Sequence, residues 1–82
     1  MIWKINTTVA NKDHELRTYD EYYTAETAQK GFNQVLKTAQ QKGFREVTRN
    51  KYHNNHTFYN EYTLQSDEER MEIVYYSSNR TA

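Results

Sequence analysis

The residues able to do chemistry are few, and their spacing limits them. His53 and His56 flank Asn54-Asn55, a pair that suits a type I′ hairpin turn because Asn tolerates positive φ at both central positions. Across such a turn two imidazoles can approach one metal ion, but a third ligand is needed. His14 sits in a different turn and there is no Cys. The expected reading is three solvated turn histidines and no metal or other cofactor. Carboxylates are common but not paired in the manner of general acid–base catalysis. Asp20-Glu21 alternate across a strand and Asp67-Glu68-Glu69 form a hydrated turn, so neither is a buried pair with divergent pKa values. Ser66, Ser77 and Ser78 have no nucleophile elbow around them, and there is no Gly-rich phosphate loop. The chain therefore does not read as an enzyme. Glycosylation-type triplets start at Asn6, Asn55 and Asn79, as chance produces in a chain rich in Asn and Thr.

The tyrosines say more. There are 8 in 82 residues: Tyr19, Tyr22 and Tyr23 before the helix, Tyr52, Tyr59 and Tyr62 about the second hairpin, and Tyr75-Tyr76 in the last strand. Such rings offer a large contact area at small entropic cost, provided the hydroxyl meets water or a partner. A face carrying several of them suits protein binding. Base stacking is the competing use, and it calls for flanking Lys and Arg together with an RNP-like Gly-aromatic motif, which this chain lacks.

These side chains depend on elements that the residue pattern predicts. Ala25, Ala28, Phe32, Val35, Leu36 and Ala39 recur at helical spacing between Thr24 and Lys42. Thr24 is the expected N-cap, Gly43 the left-handed residue after the helix, and Phe44 the residue that closes a Schellman ending against Ala39. Gly31 reads as a surface helix position with slack. On either side the period changes to two. Trp3, Ile5, Thr7 and Val9 face inward on a first strand, and Glu15 to Tyr23 is a second whose phase a bulge near Asp20 would reconcile. Arg45 to Tyr52 is a third strand, with Val47 as its main apolar residue and charges that suit an edge. Phe58, Tyr62 and Leu64 face inward on a fourth, with Tyr59, Glu61 and Thr63 outward. A fifth carries Met71, Ile73 and Tyr75 on one face and Glu72, Val74 and Tyr76 on the other. A polar tail should fray from about residue 77.

The result is an α+β fold of order ββαβββ, with a single helix packed on one face of an antiparallel sheet and one domain over residues 1–82. Phe32, Leu36, Trp3, Ile5 and Ile73 supply its core. Only 13 residues are Leu, Ile, Val or Phe, yet net charge is zero and 12 residues are aromatic, so a folded domain is expected rather than disorder. Without Cys, stability rests on that small core alone. No apolar run approaches a membrane span and no leader pattern follows Met1, so the expectation is a soluble chain of the cytoplasm without membrane association. Balanced charge disfavours a general nucleic-acid binder.

The sheet face away from the helix should carry Tyr59 and Tyr76, with Ile2 and Val74 beside Lys4, Glu61 and Glu72. Tyr59, Tyr76, Glu61, Glu69 and Glu72 are the expected contact residues for a protein partner, or for a second copy of the chain in a homodimer. Asp67, Glu68, Glu69 and Glu72, with Glu61 and Asp20-Glu21, would make one negative surface for a basic, nucleic-acid-binding partner if the hairpin ends point together. The alternative is a small nucleic-acid-binding domain using Lys4, Arg45, Arg49 and Lys51 around tyrosines.

In size, absence of Cys and Pro, Asn/Thr/Tyr/Lys-rich composition and single-helix α+β pattern, the whole chain resembles the small accessory proteins of bacteriophages and mobile elements. That group includes anti-CRISPR and other anti-defence inhibitors. The resemblance implies stoichiometric binding of a host nucleic-acid-processing protein, such as a CRISPR effector, in the host cytosol. It rests on no motif and assigns no residue.

Overall fold

Alternation and helical periodicity lead to the elements expected of them. The computed structural model describes residues 1–53 and 58–78. In chain order the elements are β1 (Ile2–Ala10), β2 (Glu15–Tyr22), α1 (Ala25–Gln41), β3 (Arg45–His53), β4 (Phe58–Gln65) and β5 (Arg70–Ser78). The strands form one antiparallel sheet in the order β2-β1-β5-β4-β3, with α1 on one face.

The helix begins and ends where its local chemistry dictates. The Thr24 hydroxyl accepts the Thr27 backbone N–H at 3.2 Å, satisfying one of the donors that a helix start leaves orphaned. At the other end the Phe44 N–H donates to the Ala39 carbonyl at 3.0 Å and the Gly43 N–H to Gln40 at 3.1 Å. Gly43 has φ +91°, a left-handed value that a side chain would resist, so the ending is a Schellman motif. Ala28, Phe32 and Ala39 are buried on the stripe facing the sheet. The two small residues let the helix settle closely, and Phe32 fills the space between them.

Ile5, Leu64 and Ile73 are the largest fully buried side chains. Around them pack Phe32, Phe44, Tyr62, Met71 and Tyr75, while Trp3 and Leu36, both expected in the core, are half-buried at its margin. Phe32 stacks on Tyr75 at 4.7 Å between ring centroids and meets Tyr62 edge-on at 5.0 Å. Aromatic packing of this geometry adds to simple burial, and it lets tyrosines fill the place that a larger aliphatic core would take elsewhere.

Three local expectations are corrected. First, β2 has no bulge near Asp20, since its register with β1 runs unbroken from Trp3↔Tyr22 to Ala10↔Glu15. Leu16 and Tyr22 share one phase and Tyr19 the other, and both faces of an edge strand can carry rings. The irregularity lies in β3, between Glu46 and Thr48, where Val47 is 61% exposed. Second, Gly31 has no slack: an added Cβ would stand 2.3 Å from the Tyr22 hydroxyl oxygen. Its missing side chain is the seat of the Tyr22 ring. Third, residues 77 and 78 are not a tail, because Ser77 pairs with Trp3 and Ser78 with Ile2. Asn60, on which the sequence pattern is silent, shares the inward phase with Phe58, Tyr62 and Leu64 and is buried. It is satisfied there, donating from Nδ2 to the Tyr75 carbonyl at 3.4 Å and bonding His53 Nε2 through Oδ1 at 3.0 Å. Such partners offset the cost of burying an amide.

The helix backbone runs closest to β1 and β2. β3 is exposed along its whole length, and among the described residues no element covers the face of the sheet opposite α1.

Candidate functional site

The open face is a grid set by strand register. Because side chains directly opposite one another in antiparallel strands lie on the same side, one row across the sheet reads Glu21, Lys4, Tyr76, Tyr59 and Tyr52. The next reads Tyr19, Asn6, Val74, Glu61 and Asn50, and the one after it Arg17, Thr8, Glu72, Thr63 and Thr48. Alternation along each strand puts these residues outward and the core residues inward.

In the first row three rings stand in sequence. The centroids of Tyr59 and Tyr76 are 6.4 Å apart, and those of Tyr52 and Tyr59 are 5.9 Å apart. Lys4 Nζ lies 5.9 Å from the centroid of Tyr76, within reach of a cation–π attraction. The Tyr59 hydroxyl donates to Glu61 Oε2 at 3.0 Å, and the Tyr19 hydroxyl donates to Glu21. Tyr59 has its pKa held above the ordinary tyrosine value of 10.0, first by burial and then by the hydrogen bond to Glu61. Both effects favour the neutral phenol. Arg17 pairs with Glu15 at 3.2 Å and Arg70 with Glu72 at 3.3 Å, so charges of both signs alternate over this face.

Of the five expected contact residues, Tyr59, Tyr76, Glu61 and Glu72 share the face. Glu69 does not. It lies in the turn after β4, where its carbonyl accepts the Ser66 N–H at 2.9 Å, about six strand residues beyond the tyrosine row and thus roughly 20 Å away. The single negative surface is likewise not assembled: Asp67, Glu68 and Glu69 occupy that turn, Glu21 stands in the tyrosine row at the opposite end, and Asp20 takes the helix-side phase. Tyr52 is the member that sequence reasoning missed. It is 60% exposed, and its register with Tyr59, set on the far side of the bulge at Val47, is what brings it into the row.

The four cations of the alternative reading are divided. Lys4 is on the open face, whereas Arg49 and Lys51 lie on the helix side, 4.8 Å and 6.0 Å from the centroid of Tyr62. Arg45 and Arg49 line a cleft of about 310 Å³ between α1 and β3, with Leu36, Phe44 and Leu64 in its walls. Arg49 is already engaged by Glu46, with Nη2 at 2.8 Å and Nε at 2.9 Å from the same oxygen; that hydrogen bond raises the Arg49 pKa.

His53 stacks on Phe58 at 4.7 Å and 19° and bonds the buried Asn60, so its ring is part of the packing. It pairs with Phe58 rather than with His56, and His56, with the Asn54-Asn55 turn, lies outside the described residues. Among the described residues no group of three or more His, Cys, Asp or Glu side chains could hold a metal ion, and no buried side-chain polar atom lacks a hydrogen-bond partner.

The class that fold and face define is a small α+β domain with one helix on a five-stranded antiparallel sheet and a tyrosine row on the uncovered side. No family model, no curated protein and no solved structure matches the chain. Among the described residues no helix is long and apolar enough to cross a membrane.

Proposed function

We propose that the protein is a non-catalytic binding module that engages a protein partner through the open face of its sheet, anchored by Tyr52, Tyr59 and Tyr76. The observation that carries this reading is the row itself: three rings in register, beside Lys4 and Glu61, on a face that no described element covers. Tyrosines with a hydrogen-bonded hydroxyl and a half-exposed ring are favoured binding anchors because few rotatable bonds must be frozen on contact. The mixed charges around them would set orientation rather than supply affinity. In an accessory protein of the phage type, occupation of this kind would inhibit a host nucleic-acid-processing defence protein stoichiometrically. The test is a double substitution, Tyr59→Ala with Tyr76→Ala. A host protein retained by the wild-type chain after nuclease treatment should be lost, with the far-ultraviolet circular dichroism unchanged. Retention of that protein by a folded double variant refutes the reading.

A second reading is favoured by one specific arrangement, the two cations over Tyr62. That geometry would suit a base held between Arg49, Lys51 and the cleft toward Arg45. Binding of single-stranded oligonucleotide at moderate salt, weakened by Lys51→Ala but not by the tyrosine pair, would favour it over the open face.

A further inference from the structure

The two edges of the sheet are built differently, and the difference bears on self-association. β3 is guarded. Its register breaks at Val47, and each antiparallel pairing of β3 with itself about Thr48, Arg49, Asn50 or Lys51 sets cation against cation: Arg45 against Lys51, Arg49 against itself, Arg49 against Lys51, or Lys51 against itself. Bulges and Lys or Arg residues are the ordinary means of keeping an edge from pairing. β2 is less guarded: its register has no bulge, and its one cation, Arg17, stands in a strand that also carries Glu15, Asp20 and Glu21. It is regular over its eight residues, and all but Tyr22 are exposed. In it or next to it stand Leu16, Tyr19 and Tyr23, at 65%, 51% and 71% exposure.

We infer that β2 pairs antiparallel with β2 of a second copy of this chain, about a two-fold axis through Tyr19 and normal to the sheet, giving one continuous sheet. Such an axis keeps like faces together, so residues of the same phase must oppose one another. Centred on Tyr19, Arg17 faces Glu21 of the second copy twice over on the open side. Leu16 faces Tyr22 and Thr18 faces Asp20 on the helix side. The neighbouring registers fail on charge: centring on Thr18 sets Glu15 against Glu21, and centring on Asp20 sets that carboxylate against itself. Like charges directly opposite in a sheet repel, and opposite charges attract. The present partner of Arg17, Glu15 at 3.2 Å, is an exposed pair of small worth, so exchange is easy. Next to Leu16 an apolar cleft of about 320 Å³, with Val9, Val35 and Met71 in its walls, opens on the helix side. The second copy would bring its Tyr22 beside that opening. The inference is independent of what the tyrosine row binds.

The experiment is sedimentation equilibrium of the full chain from about 5 µM to about 500 µM, the range in which a small interface associates. Wild type should show a monomer–dimer equilibrium. Arg17→Glu alone and Glu21→Arg alone should each weaken it about tenfold or more, since each sets like charges opposite one another twice. Mixing the two variants should restore association, because the carboxylate introduced at position 17 of one chain then pairs with the native Arg17 partner's replacement, the guanidinium introduced at position 21 of the other. A wild-type chain that stays monomeric throughout, a dimer indifferent to both substitutions, or a mixture of folded variants that fails to associate overturns the inference. A single-cysteine variant settles it even where Glu21→Arg does not fold. The natural chain has no Cys, and Tyr19→Cys on the axis should form an intermolecular disulfide under mild oxidation, while Asn50→Cys on the β3 edge should not. Equal cross-linking of both variants, or of neither, overturns it.

Discussion

Replacing Gly31 by Ala sets two measurable effects against each other. In a helix interior the exchange gains about 1 kcal/mol, because Ala loses less backbone entropy on folding. Here, however, the new methyl carbon would lie 2.3 Å from Tyr22 Oη and 2.5 Å from Cζ, whereas carbon and its neighbours rest at about 3.5 Å. The phenol ring must withdraw by roughly 1 Å, at a cost of about 1 to 3 kcal/mol for an overpacked contact. The net change expected is between no effect and a loss of about 2 kcal/mol, where an unobstructed helix site would gain stability. Tyr22→Ala removes the obstacle, so Gly31→Ala in that background should stabilise by the full ~1 kcal/mol. Urea titration of the four chains of this cycle measures the coupling directly, with an expected value of about 1 to 3 kcal/mol. A stabilising Gly31→Ala of equal size in both backgrounds would refute the seating of Tyr22 on the helix, and with it the account of how the end of β2 is fixed beneath α1.

Ile73→Ala, at a fully buried position, should cost about 3 to 4 kcal/mol, whereas Leu36→Ala, at a half-buried cleft position, should cost only about 1 to 2; equal costs in urea titrations would place the helix stripe wrongly. The raised pKa values of Tyr59 and Tyr75 mean that the unfolded chain loses those protons first as pH rises. The stability they confer is therefore complete below the ordinary tyrosine value of 10.0 and is lost as pH climbs through the folded-state values. The melting temperature should fall above about pH 10, and less steeply in Tyr59→Phe; an identical alkaline fall in that variant would contradict the role given to Tyr59.

Much of this architecture is written locally. Thr24, Gly43 and Phe44 announce the helix ends through the capping bonds they make, and period-two alternation gives the correct inward phase to Ile5, Leu64, Ile73 and Tyr75. What escapes the sequence is whatever depends on two distant residues meeting. Gly31 reads as a loose surface position until Tyr22 is seen lying on it. Asn60 falls between Phe58 and Tyr62 on the inward phase, and nothing local announces that His53 and the Tyr75 carbonyl will satisfy it there. The tyrosine row is half legible: alternation puts Tyr59 and Tyr76 outward, but Tyr52 joins them through the register of the β3–β4 pair, which the bulge at Val47 resets. The same dependence separates Glu69 from its expected companions and sends Arg49 and Lys51 to the helix side, away from Lys4.

The placement of β1 beside β5 has a kinetic side. The first and last strands are neighbours in the middle of the sheet, with Ile5 opposite Tyr75 and Thr7 opposite Ile73. While the chain is being synthesised, the β1–β2 and β3–β4 hairpins can form from local contacts, but each keeps a bare inner edge, β1 on one and β4 on the other. Those inner strands carry Ile5, Tyr62 and Leu64, side chains that are buried only in the finished fold. Every contact that joins the two hairpins through the sheet waits for residues 70–78. Folding should therefore be a single late event with a high contact order, slower than the size of the chain suggests, and a nascent or truncated chain ending before β5 would hold two unmatched apolar edges at once, the condition under which chains of this kind aggregate.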